Sequence, residues 1–134
     1  MIEFPFLKRH SKKLGLISKP VIPVSVIGPE RRIKLFMLLD SGADISMIPY
    51  SVGETLGIEL DMSTRSEARG IGESSVPYVL GRIRLQIENY EISARVGWAL
   101  IEEVPLILGR LDVFEAFAIE FREFEDKILL KRAL

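Results

Sequence analysis

The feature that most constrains the fold is the run Arg82-Ile83-Arg84-Leu85-Gln86-Ile87, which alternates polar and apolar side chains without a break. Successive side chains of a strand point to opposite faces, so a period of two describes a strand with one face in a core and the other in water. After Glu88-Asn89 the same period returns in Tyr90, Ile92, Ala94 and Val96, and the two runs together predict two half-buried strands. Elsewhere the chain reads as short β-type runs separated by turn signals, the pattern of a barrel or sandwich. Val21–Ile27 is rich in β-branched residues, Gly28-Pro29-Glu30-Arg31 turns it, and Arg32–Leu39 runs back, which predicts a hairpin. Pro23 has no N–H to donate and is expected at an edge or facing away from a ladder partner.

Helical signals are few. Residues 49–56 predict one or two turns, with Pro49 at the start and Gly57 as the stop. Leu106-Ile107-Leu108 is apolar throughout, suits a strand buried on both faces, and leads into Gly109-Arg110. Residues 111–117 then predict a helix with Val113, Phe114 and Phe117 on one side. Residues 119–121 and 128–130 predict a closing pair of strands.

A length of 134 residues with 48% hydrophobic content fits one core. The expected organisation is a polar N-terminal arm over 1–14 and a single domain over 15–134. With 18 Lys and Arg against 19 Asp and Glu, the net charge of -1 lacks the electrostatic footprint of a general nucleic-acid binder. The absence of Cys excludes disulfides, thiolate nucleophiles and Cys-based metal sites. The single His10 lies in the polar arm and reads as a solvated residue, so neither a metal nor a cofactor is expected. The apolar run at 1–7 is short for a signal peptide, and the basic Lys8-Arg9-His10-Ser11-Lys12-Lys13 follows it instead of preceding it. No other stretch has the length of a membrane span. These readings predict a soluble, cytoplasmic protein with no membrane partner.

The chemistry is carried by Asp40, which ends an apolar strand and is followed at once by Ser41-Gly42. A carboxylate is thereby delivered from the core into a tight turn, where burial among Phe36, Leu38 and Leu39 costs several kcal/mol, on the order of the penalty for an unpaired charge, unless the group is hydrogen-bonded or neutralised. Taken alone, Asp-Ser-Gly is most often an ordinary loop cap.

Its surroundings narrow the reading. Leu38-Leu39-Asp40-Ser41-Gly42-Ala43-Asp44 resembles the active-site signature of the retropepsins, the retroviral-type aspartic proteases. Ile107-Leu108-Gly109-Arg110 followed by 111–117 resembles the strand and helix beneath their catalytic loop, and Arg69-Gly70-Ile71-Gly72 is similar to their flap tip. The three elements occur in family order and cover roughly residues 19–117.

The resemblance implies a mainly β, closed acid-protease barrel with one short C-terminal helix and a β-hairpin flap. It implies a C2 homodimer acting on an extended peptide or unfolded protein, with Asp40 catalytic and Ser41 and Gly42 supporting its loop. It places Ala43, Asp44, Met47, Gly70, Ile71, Gly72 and Ile107 against substrate, and pairs Asp44 with Arg110. No second Asp-Ser/Thr-Gly occurs in the chain, and the chemistry needs two carboxylates that share one proton. A symmetry copy would supply the second. Ser41 stands where retroviral enzymes usually have Thr, and Glu73-Ser74 where a further flap glycine is common. Beyond the helix, the chain is long enough for a C-terminal hairpin to build the dimer sheet without the N-terminus. The alternative is a catalytically silent dimerisation or peptide-binding module on the same fold.

Overall fold

The computed structural model describes residues 1–134 apart from Ile71, Glu73 and Leu134. In chain order the strands are β1 (Ile2–Phe4), β2 (Leu7–Ser11), β3 (Gly15–Lys19), β4 (Val21–Ile27), β5 (Arg32–Leu39) and β6 (Ser46–Ile48). Helix α1 (Tyr50–Leu56) follows, then β7 (Ser66–Arg69), β8 (Ser75–Ile87), β9 (Tyr90–Ala99), β10 (Ile107–Leu108), β11 (Phe117–Arg122) and β12 (Lys127–Arg132).

The two alternating runs form the antiparallel β8–β9 hairpin, turned at Glu88, whose φ is 54°. Ile83, Leu85, Ile87, Ala94 and Val96 are buried, while Arg82 and Arg84 face water. The β4–β5 hairpin also forms, with Pro23 opposite Phe36. The other side of β4 meets β8 only from Ser25 onward, so Pro23 removes no bond from that ladder. The β4–β8 pairing joins the ends of the order β4-β5-β10-β6-β9-β8 and closes a six-stranded barrel. Strand β7 pairs with β8 as a hairpin over Ser75, Val76, Pro77 and Tyr78, the first three of which lie beyond the β8–β9 ladder. Helix α1 ends at Gly57 and packs on β9, where the Trp98 indole N–H donates to the Tyr50 carbonyl at 2.9 Å and the two rings stack.

Two expectations are corrected. The predicted helix at 111–117 is reduced to one irregular turn, Arg110–Phe114, because Asp112 takes a left-handed φ of 66°. Its carboxylate accepts from the Arg95 backbone N–H at 2.8 Å and from the guanidinium at 3.0 Å, and this bridge to β9 holds the segment out of helical geometry. Phe117 then belongs to β11.

The segment expected as a polar arm divides in two. Residues 8–13 are polar and largely exposed, but Ile2, Phe4 and Phe6 are buried in the core. Strand β1 pairs with β12, which pairs with β11 on its other side, so the N-terminus does take part in the C-terminal sheet. Full burial of Ile128, Leu130 and Phe117 joins that sheet to the hydrophobic cluster of the barrel, each such side chain worth about 1.5–3 kcal/mol.

Candidate active site

Strand β5 places the Asp40 loop. Leu39 is buried in the core, whereas Phe36 is 64% exposed, so Asp40 leaves the barrel half-buried and not deep among apolar side chains. The Asp40 N–H donates to the Leu108 carbonyl at 2.9 Å, which fastens the loop to β10. Its Oδ1 accepts from the Gly42 N–H at 2.9 Å, and its carbonyl accepts from the Ala43 N–H at 3.2 Å. One carboxylate oxygen is therefore held by the loop's own backbone, the usual device of an Asp in a tight turn.

The segment after β10 lies against this loop. The Arg110 and Leu111 N–H groups donate to the carbonyls of Ala43 and Asp44 at 2.9 and 3.0 Å. Gly109 passes so close that a Cβ there would lie 2.4 Å from the Ile45 carbonyl carbon, a distance only glycine allows. The Gly109 N–H donates to Ser46 Oγ at 3.0 Å, and Ser46 is fully buried. The Arg110 guanidinium pairs with the Asp44 carboxylate, as the resemblance implies. Both side chains are exposed, and such pairs add little stability. Behind the loop, hydrogen bonds from Arg95 hold the Asp112 carboxyl below the ordinary carboxylate range.

A cleft of about 580 Å³ opens above Asp40. Its floor includes Asp40, Gly42, Ala43, Asp44, Ile45, Met47 and Ile107, and the last two are cross-strand neighbours of β6 and β10. Its roof is the β7–β8 hairpin, which contributes Glu67, Ala68, Arg69, Gly70, Val76 and Tyr78, while Val104 and Pro105 form a side wall. The structure thus brings Asp40, Gly42, Ala43, Asp44, Met47, Gly70 and Ile107 to one cavity. Ser41 and Gly72 do not line it, and Ile71 lies outside the described residues.

Glu67, Val76, Tyr78 and Val104 are lining residues that the sequence reading missed. Tyr78 and Val76 did carry a signal, an alternation with Ser75 and Pro77, but one opposite in phase to that of 82–87, so they lie on the other face of β8 from its buried residues. Strand β7, with Ser66, Glu67 and Arg69 exposed, has no apolar alternation to reveal it. Ser46 was also missed, since a Ser amid Ile45 and Met47 gives no local sign of meeting a distant backbone N–H.

No protein-family model matches the chain, and no curated protein matches it. Solved structures do. The retroviral protease-like domain of Ddi1 from Leishmania major is similar over 87% of this chain and 91% of its own, with a TM-score of 0.60 and 14% identity. A retropepsin-like aspartic protease from Rickettsia conorii matches over 96% of this chain and 89% of its own, with a TM-score of 0.55 and 16% identity. EIAV protease, solved with the inhibitor HBY-793, matches over 69% of this chain and 82% of its own, with a TM-score of 0.50 and 24% identity. At these identities the likeness concerns architecture, and by that measure the chain has the retropepsin-like fold.

Proposed function

We propose that the protein is an aspartic endopeptidase that works as a homodimer, with Asp40 from each of two copies forming the catalytic pair. The observation that carries this reading is the position of Asp40, held by the Gly42 N–H at the floor of a cleft roofed by the β7–β8 hairpin. Two carboxylates brought that close cannot both ionise, so one keeps a proton. The ionised member takes a proton from a water, whose oxygen attacks the scissile carbonyl carbon, and the protonated member delivers its proton to the carbonyl oxygen. Collapse of the resulting tetrahedral centre breaks the C–N bond, and the departing nitrogen takes up a proton.

An extended peptide would lie between floor and roof, its backbone bonded by the β7–β8 flap and its side chains seated beside Met47, Ile107 and Tyr78. Gly42 and Ser41 support the loop, and Ala43, Asp44 and Gly70 border the substrate path. Strand β11 is a free edge of the C-terminal sheet, and Phe124 beside it is 85% exposed, which favours this edge for the second copy.

The test is cleavage of an unstructured peptide library by the parent protein and by Asp40→Asn, each with and without pepstatin, followed by mass spectrometry of the products. Expected are parent cleavage inhibited by pepstatin and a loss of at least about 10²–10⁴-fold in Asp40→Asn, the range that general acid–base groups supply. Sedimentation of both proteins should show the same dimer. A folded, dimeric parent that cleaves nothing would instead identify the silent binding module, and cleavage undiminished in Asp40→Asn would exclude the aspartic mechanism.

A further inference from the structure

Residues 7–19 differ from the rest of the chain in charge and in packing. They contain Lys8, Arg9, Lys12, Lys13 and Lys19 and no Asp or Glu, in a protein whose net charge is -1. They form the β2–β3 hairpin, a two-stranded sheet of its own outside the barrel, and its contacts are mostly internal. A lone two-stranded hairpin is marginal in water. This one also exposes apolar side chains at its tip, where Leu14 is 75% and Leu16 69% exposed.

The tip is shaped locally. The Leu14 N–H donates to Ser11 Oγ at 3.2 Å, and Gly15 supplies a left-handed φ of 76°. Lys12 and Lys13 stand exposed in the same turn, and exposed His10 pairs across the strands with Leu16. Lys8 is tied to Asp126 at 2.9 Å, beside Phe6, whose N–H donates to the same carboxylate. Among the described residues, Arg9, Lys12, Lys13 and Lys19 have no carboxylate within ion-pair distance.

We propose that this tip docks on an anionic lipid surface, with Leu14 and Leu16 entering the boundary between headgroups and acyl chains while Lys12 and Lys13 pair with lipid phosphates. Apolar side chains flanked by long cationic ones suit that boundary, because the lysine stems lie along the apolar layer and their ammonium groups reach the headgroups. Charge complementarity adds to the attraction near an anionic leaflet. A nucleic-acid partner suits the tip less well, since residues 7–19 contain no Phe, Tyr or Trp on which a base would stack, and the two exposed leucines would have no role. No helix among the described residues is long and apolar enough to cross a membrane, and surface docking requires none. The expectation of no membrane partner rested on the lack of a span, which leaves this mode open. The inference is independent of the proteolytic reading.

The chain has no Cys, so Leu14→Cys accepts a single environment-sensitive fluorophore, with Met62→Cys, at an exposed site on another part of the surface, as control. The label at 14 should shift to the blue on vesicles of equimolar phosphatidylcholine and phosphatidylglycerol and stay unchanged on phosphatidylcholine alone, while the label at 62 stays unchanged on both. In co-sedimentation of the unlabelled protein, Lys12→Gln with Lys13→Gln should weaken binding about thirtyfold. Leu14→Ser with Leu16→Ser should weaken it by about tenfold or more. Because all four side chains are exposed, both variants should keep the parent melting temperature.

Several results would overturn the proposal. One is absence of binding to the anionic vesicles at low salt; another is binding that the Leu substitutions leave intact, which would make it mere charge attraction. Tighter binding to a labelled single-stranded oligonucleotide, lost in the Lys variant, would reassign the surface to nucleic acid. A change of oligomeric state in the Leu variant without vesicle binding would reassign it to self-association.

Discussion

The floor and the roof of the cleft are built by opposite means. On the floor, the Asp40 loop is tied to β10 through the Asp40 N–H, to 110–111 through two more backbone bonds, and to Gly109 by an approach that leaves no room for a Cβ. On the roof, among the described residues, Ser66–Arg69 is a largely exposed strand paired only with β8, and a Cβ added at Gly70 would meet nothing within 4 Å. A fixed floor keeps a reacting carboxylate in one geometry, which is where positioning contributes most to catalysis. A loosely supported roof can accept substitutions and rearrange around a ligand, as binding loops commonly do.

The sharpest way to break this contrast is Gly109→Ala. The new methyl would press on the backbone of Ile45, which cannot rotate away, so a destabilisation of about 1–3 kcal/mol or more is expected in calorimetry or urea unfolding. Activity should fall with it, because the loop that carries Asp40 would shift. A variant as stable as the parent would mean the floor yields easily.

Ser46→Ala tests the same floor from beneath. The substitution removes the acceptor of the buried Gly109 N–H and should cost about 1–3 kcal/mol in urea unfolding, the penalty of an unpaired buried donor.

A smaller effect, visible mainly through its pH dependence, is expected for Asp112→Asn. The Arg95 hydrogen bonds lower the Asp112 carboxyl below its ordinary value, so the carboxylate's contribution is complete above the unfolded-state pKa near 3.9 and disappears as pH falls through the lower folded value. The parent should therefore exceed the variant by about 1 kcal/mol at neutral pH, at the low end because the Arg95 side is solvated, with the difference closing below about pH 4. A gap that persists unchanged in acid would assign the role to packing, not charge.

The smallest effect belongs to the roof. Gly70→Ala should leave stability within about 0.5 kcal/mol of the parent. In a peptide-cleavage assay it should move KM more than kcat, since the hairpin would contact substrate away from the reacting atoms.

The floor was also the more legible region. Leu38-Leu39-Asp40-Ser41-Gly42-Ala43 and Ile107-Leu108-Gly109-Arg110 are contiguous motifs, joined to each other by the Asp40 N–H to Leu108 and Arg110 N–H to Ala43 bonds. The roof was only half legible. Its turn glycines can be read, but Glu67 faces the cleft only because β7 takes its register from β8, with Glu67 opposite Pro77. The irregular turn at 110–114 was misread as a longer helix because the apolar spacing of Val113, Phe114 and Phe117 is helical, while the Arg95–Asp112 bridge that interrupts it comes from a distant strand.

By itself the sequence determined that the chain is mainly β, where the β4–β5 and β8–β9 hairpins turn, and that Asp40 ends an apolar strand in a glycine-containing loop. These properties depend on side-chain period and turn chemistry, which act over a few residues. Tertiary structure alone decided that β1 joins β12, that β4 meets β8 to close the barrel, and that Ser46 lies buried under Gly109. Alternation tells which face of a strand is buried but carries no record of its partner, and Ile2–Phe4 is too short to show a period at all. Its place against Ile128 and Leu130 follows from the burial that the two ends of the chain achieve together.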